Sequence, residues 1–339
     1  MLKDKSCDTR FILTVEVSSI YSKNGRVYRI HTLIFAPSLA VAEKISKKLD
    51  QVGNVHSDGR PIFGLDVRDL TEIVLQIDKN AMIVPAHIWT PWFSILGSKS
   101  GFNSIEDAFE DMSQYIFALE TGLSSDPPMN WRCKMLDKYT LISNSDAHSH
   151  SKIAREANVF LCEMSYNGIQ NALKKKKGKV VKTIEYFPHE GRYYYDGHRN
   201  CNVSQKPSKD FLCPVCKKML TIGVLNRVYE LASRKEGYNL KGAPEFVNLI
   251  PLNEIIASAY QMGVLTKKVQ GIYYTLLEKF GTEMNILLNT PQKDIASTGE
   301  KLVAQGIADM RKGKVDIVPG YDGEYGKICL LYTSPSPRD

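Results

Sequence analysis

The chain has no apolar run near the roughly 20 residues that a membrane span requires, which excludes a transmembrane helix. Its opening, Met1-Leu2-Lys3-Asp4-Lys5, carries no secretory pattern, and a cytoplasmic location is expected. No G-x-x-x-x-G-K-[ST] loop occurs, so ATP-driven work and a nucleoside triphosphate partner are excluded. Neither charge sign dominates: 44 Lys and Arg against 37 Asp and Glu leave a net charge of +7. That excess permits nucleic-acid binding and equally fits a solvated basic surface. The seven cysteines do not form a disulfide framework; Cys7, Cys133 and Cys162 are scattered, whereas Cys201, Cys213 and Cys216 cluster as metal ligands do.

What is present is an ordinary globular composition, 43% apolar and 24% charged, in 339 residues, enough for about two domains. Two short apolar runs end in potential ligands. Ile83-Val84 leads through Pro85-Ala86 to His87, and Thr140-Leu141-Ile142 leads to Asp146-Ala147-His148. Runs of this kind suggest parallel strands that deliver ligands at their carboxyl ends, where α/β enzymes build sites. Imidazole with carboxylate suits Zn, Mn or Fe and hydrolytic chemistry. A second pattern, His198-x2-Cys201 followed by Cys213-Pro-Val-Cys216, has the spacing of tetrahedral structural Zn. The Cys213–Cys216 knuckle is its more specific half; His189 and Asp196 lie close enough to compete with His198 as fourth ligand.

The remaining pattern alternates strands and helices. Phe11–Val17 and Val27–Phe35 flank Asn24-Gly25, a hairpin signal. Helices are expected from Ser38 to Leu49, from Asp66 to Ile77, and from Ser104, where a capping-box pattern carries Asp107 in place of Glu or Gln. Strands are expected over Tyr115–Leu119, Thr140–Ser143, Val159–Leu161, Thr183–Phe187 and Arg192–Tyr195. From Val224 onward the spacing predicts helices over 224–232, 252–260, 266–280, 283–288 and 299–312. The expected fold class is α/β, with a parallel sheet or distorted barrel, then a zinc ribbon and a helical C-terminal domain. The expected divisions are 1–178, 179–222, 223–328 and a foreign tail, 329–339, that resembles a translated sequencing adapter. No catalytic triad is evident.

Ile83–Phe93, Gly97–Phe102, Glu120–Pro127 and Ile142–Ser149 resemble the polymerase and histidinol phosphatase (PHP) domain, and more narrowly that of the endonuclease Q family. Asp196–Cys201, Cys213–Cys216, Leu220–Val228 and Val318–Gly326 resemble the zinc segment and ending of the same family. The resemblance spans about Phe11 to Ile328. It implies a PHP-type distorted β/α barrel and a metal-dependent endonuclease acting on damaged DNA, nicking 5′ of uracil, hypoxanthine, xanthine or abasic sites. It implies two or three divalent ions (Zn, Mg or Mn) held by Glu16, His87, Asp146 and His148. His31 and Glu120 are further candidates, against an ordinary hairpin residue for His31 and a salt bridge or helix-start carboxylate for Glu120. The H-x-H motif that opens PHP domains is absent, so the chain is expected to lack its first strands and some ligands.

For DNA, Trp89, Trp92 and Phe93 could stack on a base or simply belong to the core. Lys99, the Lys174–Lys177 run, Lys179 and Arg192 are candidate phosphate contacts, with a solvated face as the alternative. Residues 287–314 resemble a helix-hairpin-helix that would place Arg311 and Lys312 on the backbone; a plain packing pair of helices fits equally. The competing functions are a PHP phosphoesterase on a small phosphate ester and a non-catalytic DNA-binding protein.

Overall fold

The computed structural model describes residues 2–3, 8–56 and 59–330; Cys7 and positions 331–339 of the expected tail lie outside the described residues. The first sheet grows from the hairpin. Asn24 and Gly25 take φ of 51° and 76°, the left-handed pair that a tight two-residue turn needs. The turn joins strands Leu13–Lys23 and Arg26–Ala36 in unbroken antiparallel register, from Leu13 opposite Ala36 to Lys23 opposite Arg26. Ile62–Phe63 adds in parallel beside the first strand, and Met82–Pro85 adds antiparallel beside the second. The run into His87 is therefore antiparallel to its neighbour, contrary to expectation.

Two helices cover this sheet. Ser38 Oγ caps Leu39–Leu49, and the Asp66 side chain caps Val67–Ile77 by accepting from Arg68 N. Their apolar faces bury Ile45, Leu49, Val67, Leu70 and Val74 against Ile30, Ile34 and Phe63. Ser104 caps only a short helix, Ile105–Phe109, a 3₁₀ turn over Glu110–Tyr115 follows, and the strand expected over Tyr115–Leu119 runs instead over Ala118–Glu120.

The other strands form small separate sheets: Ala118–Glu120 parallel to Thr140–Ile142, and Lys179–Glu185 between Ala157–Leu161 and Glu245–Asn248. Among the described residues this is a mixed α/β set of sheets rather than a closed parallel barrel. Helices Leu252–Tyr260, Lys267–Phe280, Glu283–Leu288, Gln292–Ala296 and Lys301–Arg311 enclose a second core that includes Ile255, Val269, Leu276, Ile286 and Ile307.

Packing does not follow the expected divisions at 178 and 222. Strand Lys179–Glu185 pairs with residues on both sides of the first, because the polar 174–178 stretch is a turn and not a linker. Helix Val224–Leu231 belongs to the first core, where Val224 and Val228 are buried. The Arg227 guanidinium, also buried, donates to the carbonyls of Leu96 and Phe102 at 3.0 and 2.9 Å. Cys329 and Leu330 continue a strand opposite Asp316 and Val315, and Leu330 is buried in the second core.

Candidate metal centre and nucleic-acid pocket

Antiparallel register puts Leu33 opposite Glu16 and Ser18 opposite His31. Glu16 and His31 are thus diagonal neighbours on one face of the hairpin, within side-chain reach. His31 Nδ1 lies 2.9 Å from Glu16 Oε1. His87, just beyond strand Met82–Pro85, brings Nε2 to 3.3 Å from the same oxygen and 3.2 Å from His31 Nδ1. One ligand atom from each of the three lies within 4.8 Å of the others. His31 thus joins a candidate metal group, and two imidazoles with one carboxylate fit a borderline divalent ion.

The backbone around His87 is held under constraint. Its φ is 28°, and Asp146 and Phe93 also take positive φ, of 43° and 60°. Non-glycine residues rarely adopt such values, and they collect at functional sites. Gly122, φ +65°, runs so close that an added Cβ would sit 2.5 Å from His87 Cβ. Burial would push the Glu16 carboxyl up, but hydrogen bonds from His31 and His87 outweigh it and hold the group far below the usual range. Burial lowers His31, whereas for His87 the opposing pull of Glu16 wins and raises it. Arg60 pairs with the second Glu16 oxygen at 3.0 Å.

Glu120 faces elsewhere. Its Oε2 accepts the His87 backbone N–H at 2.7 Å and its Oε1 accepts from Asn144 Nδ2 at 2.8 Å. One oxygen thus positions the His87 main chain and the other is held by the Asn144 side chain. Asp146 and His148 line the same cavity as His31 and His87 but stand outside the three-residue group. The His148 side chain is 77% exposed and its Nδ1 meets the Asp146 carbonyl at 2.8 Å.

The cavity has a volume of about 550 Å³ and adds Arg29, Arg60, Trp92, Phe93 and Tyr193 to the imidazoles. A larger groove, about 730 Å³, lies elsewhere beside Trp131 and Tyr139, away from both candidate metal groups. Arg29 sits two residues before His31 on the same strand, so alternation could have revealed it. Arg60 and Tyr193 arrive by tertiary packing and left no local signal. The DNA candidates divide. Trp89 is buried and donates Nε1–H to Asn130 Oδ1 at 2.8 Å, a core post and not a surface. Trp92 lines the cavity. Lys99 and Lys312 are exposed, and Lys99 is not on the cavity wall. Arg311 points inward, donating to the carbonyls of Leu287, Ile286 and Thr290 at 2.7, 2.7 and 2.8 Å. It closes the end of helix Glu283–Leu288 and is not presented to a phosphate.

The second cluster assembles as its spacing predicted: ligand atoms of His198, Cys201, Cys213 and Cys216 all lie within 4.8 Å of one another. His198 ends the short strand Asp196–His198 and brings Nδ1 to 3.4 Å from Cys216 Sγ. Desolvation works against ionisation of Cys213, yet the backbone N–H groups of Cys216 and Val215 hold its thiol down at about 6. The competitors for the fourth place stand outside the group. Asp196 accepts from Gly223 N at 2.7 Å, and burial holds His189 down at about 4, outside the group.

These features define a class, a mixed α/β protein with two candidate metal groups. The structure matches PfuEndoQ, a lesion-specific endonuclease from Pyrococcus furiosus, with a TM-score of 0.80 and 30% identity over 92% of this chain and 80% of that one. It matches endonuclease Q in complex with a 27-mer duplex substrate carrying an abasic lesion at the active site, again with a TM-score of 0.80 and 30% identity, over 92% and 82% of the two chains. The uncharacterized protein YqxK of Bacillus subtilis is 31% identical over 307 residues, 88% of this chain and 73% of its own length. The uncharacterized protein MJ0043 of Methanocaldococcus jannaschii is 32% identical over 295 residues, and this chain spans only 35% of its length. The family model of the MJ0043 C-terminal domain matches residues 251–314. The chain belongs to the endonuclease Q family.

Proposed function

We propose that this protein is a metal-dependent DNA repair endonuclease that nicks duplex DNA 5′ of deaminated bases (uracil, hypoxanthine, xanthine) and of abasic sites. The observation that carries this reading is the convergence of Glu16, His31 and His87, whose two imidazoles line an open cavity that also presents two arginines and three aromatic rings. A divalent centre bound there would supply Lewis-acid charge and an activated water for in-line attack on phosphorus. Glu16, His31 and His87 bind it, and Asp146 and His148 are the further donors from the same cavity. Glu120 fixes the main chain of His87. Arg29 and Arg60 hold phosphate oxygens. A damaged base is weakly paired and costs little to extrude, a few kcal/mol or less, which favours a site reached by a displaced nucleotide. His198, Cys201, Cys213 and Cys216 hold a structural Zn in this reading, stabilising a segment with too little apolar core of its own.

The test is a panel of end-labelled duplexes carrying one uracil, one hypoxanthine, one abasic site or no lesion, incubated with Mg²⁺ or Mn²⁺. The expected result is a nick on the 5′ side of the lesion and an intact undamaged duplex. Turnover of a small phosphate ester with every duplex left whole would favour the phosphoesterase.

A further inference from the structure

We propose that Tyr193 and Trp92 together form a stacking wall that holds a nucleobase of the bound strand against the Glu16–His31–His87 side of the cavity. The inference rests on the nuclease reading and deepens it, assigning base-holding to a tyrosine supplied by the segment that enters the Cys/His cluster. The two rings come from distant parts of the chain and meet edge to face, centroids 5.5 Å apart at 68°. Both residues are half-buried and line the cavity beside His31 and His87.

The wall is built in advance. Tyr193 O accepts the Val224 N–H at 2.7 Å, and the neighbouring Tyr195 N–H donates to Gly320 O at 2.9 Å. Arg192 Nε donates to Gly323 O at 2.8 Å. On the other side, Thr90 Oγ1 donates to the Trp92 carbonyl at 2.9 Å. Fixed rings lose little freedom when a flat ligand lands on them. The contrast with Trp89 is informative: three residues earlier, it is fully enclosed and its indole N–H is satisfied by Asn130. Aromatic faces beside the Arg29 and Arg60 guanidiniums match a base joined to a phosphate, and not a bare phosphate ester. Every base has a π-face, so the wall grips without reading hydrogen bonds, and affinity should not depend on which base is held.

The experiment is equilibrium binding of the full chain, in buffer without chelator, to a fluorescent duplex with one uracil and a non-cleavable linkage on its 5′ side, for wild type, Tyr193→Phe, Tyr193→Leu and Tyr193→Ala. The Ala and Leu variants should bind roughly tenfold more weakly and Phe within about twofold, because stacking follows the ring and not the hydroxyl. The slope of log Kd against log salt should stay unchanged in all four, since stacking releases no counterions. Equal binding by wild type and the Leu variant, or equal loss in Phe and Leu, would overturn the wall while leaving the nuclease reading standing. A wild type with no preference for the damaged duplex would bring down both.

Discussion

At the scale of single residues, the same side-chain type serves opposite ends according to what surrounds it. Trp89 and Trp92 belong to one aromatic stretch, yet one is enclosed and hydrogen-bonded and the other faces the cavity. Glu16 and Glu120 both lie beside His87, but only Glu16 turns an oxygen toward the imidazoles. The neighbours His189 and Glu190 set a pH dependence of stability. Burial holds His189 at about 4, so the unfolded chain takes up its proton first, and stability falls as pH drops from about 6.5 toward 4. Burial, reinforced by Glu254, pushes Glu190 up to about 8. The folded state keeps that proton longer than the unfolded chain, so stability falls as pH rises from about 4.5 through 8. Glu190→Gln removes this second slope: between pH 6.5 and 8, above the range in which His189 acts, the melting temperature should fall more steeply in wild type than in the variant. Parallel melting curves would contradict the assignment.

At the scale of elements, the helices were legible because their signals are local. Leu252–Tyr260 and Glu283–Leu288 stand where the apolar spacing put them, and Ser38 and Asp66 are caps in fact. The sheets were less legible, since pairing is decided by partners far along the chain. Asn24-Gly25 marked the hairpin, but nothing near Ile83 indicates that its strand lies antiparallel to Arg26–Ala36. The lysine run at 174–177 was misleading in the same way, because a polar turn between a helix and a strand has the composition of a linker. Arg311 carries the consequence for function. Arg311→Met removes three charge-assisted bonds to carbonyls and should cost about 2 kcal/mol in urea unfolding. Its salt slope for DNA binding should match wild type, because the guanidinium contacts no phosphate; a slope reduced by about one would restore it to the DNA surface.

For the whole molecule, strand Lys179–Glu185 ties the core of the C-terminal helices, through Ile184, to a smaller apolar cluster that holds Val180, Met82 and Ile142. The Cys/His cluster was fully legible, since its ligands come in close-spaced pairs. The cavity was legible only in part: His87 and Asp146 advertised themselves at the ends of apolar runs, while Glu16, His31 and Glu120 were indicated by family resemblance, and Tyr193 and Arg60 by neither. Cys213→Ser, or prolonged treatment with a strong chelator, should lower the melting temperature without altering the helices of residues 252–311, followed as residual helical ellipticity. Unchanged melting after loss of bound metal would deny the cluster a structural role.

The central claim is that Glu16, His31 and His87 hold the metal that cuts damaged DNA. Its most direct measurement is strand cleavage of a duplex with one abasic site in Mn²⁺, with the cut position mapped, for wild type and Glu16→Gln. The account predicts a single wild-type nick on the 5′ side of the lesion, and a variant that folds and binds the duplex but cuts at least about a hundredfold more slowly. Equal cutting by the two proteins would contradict it.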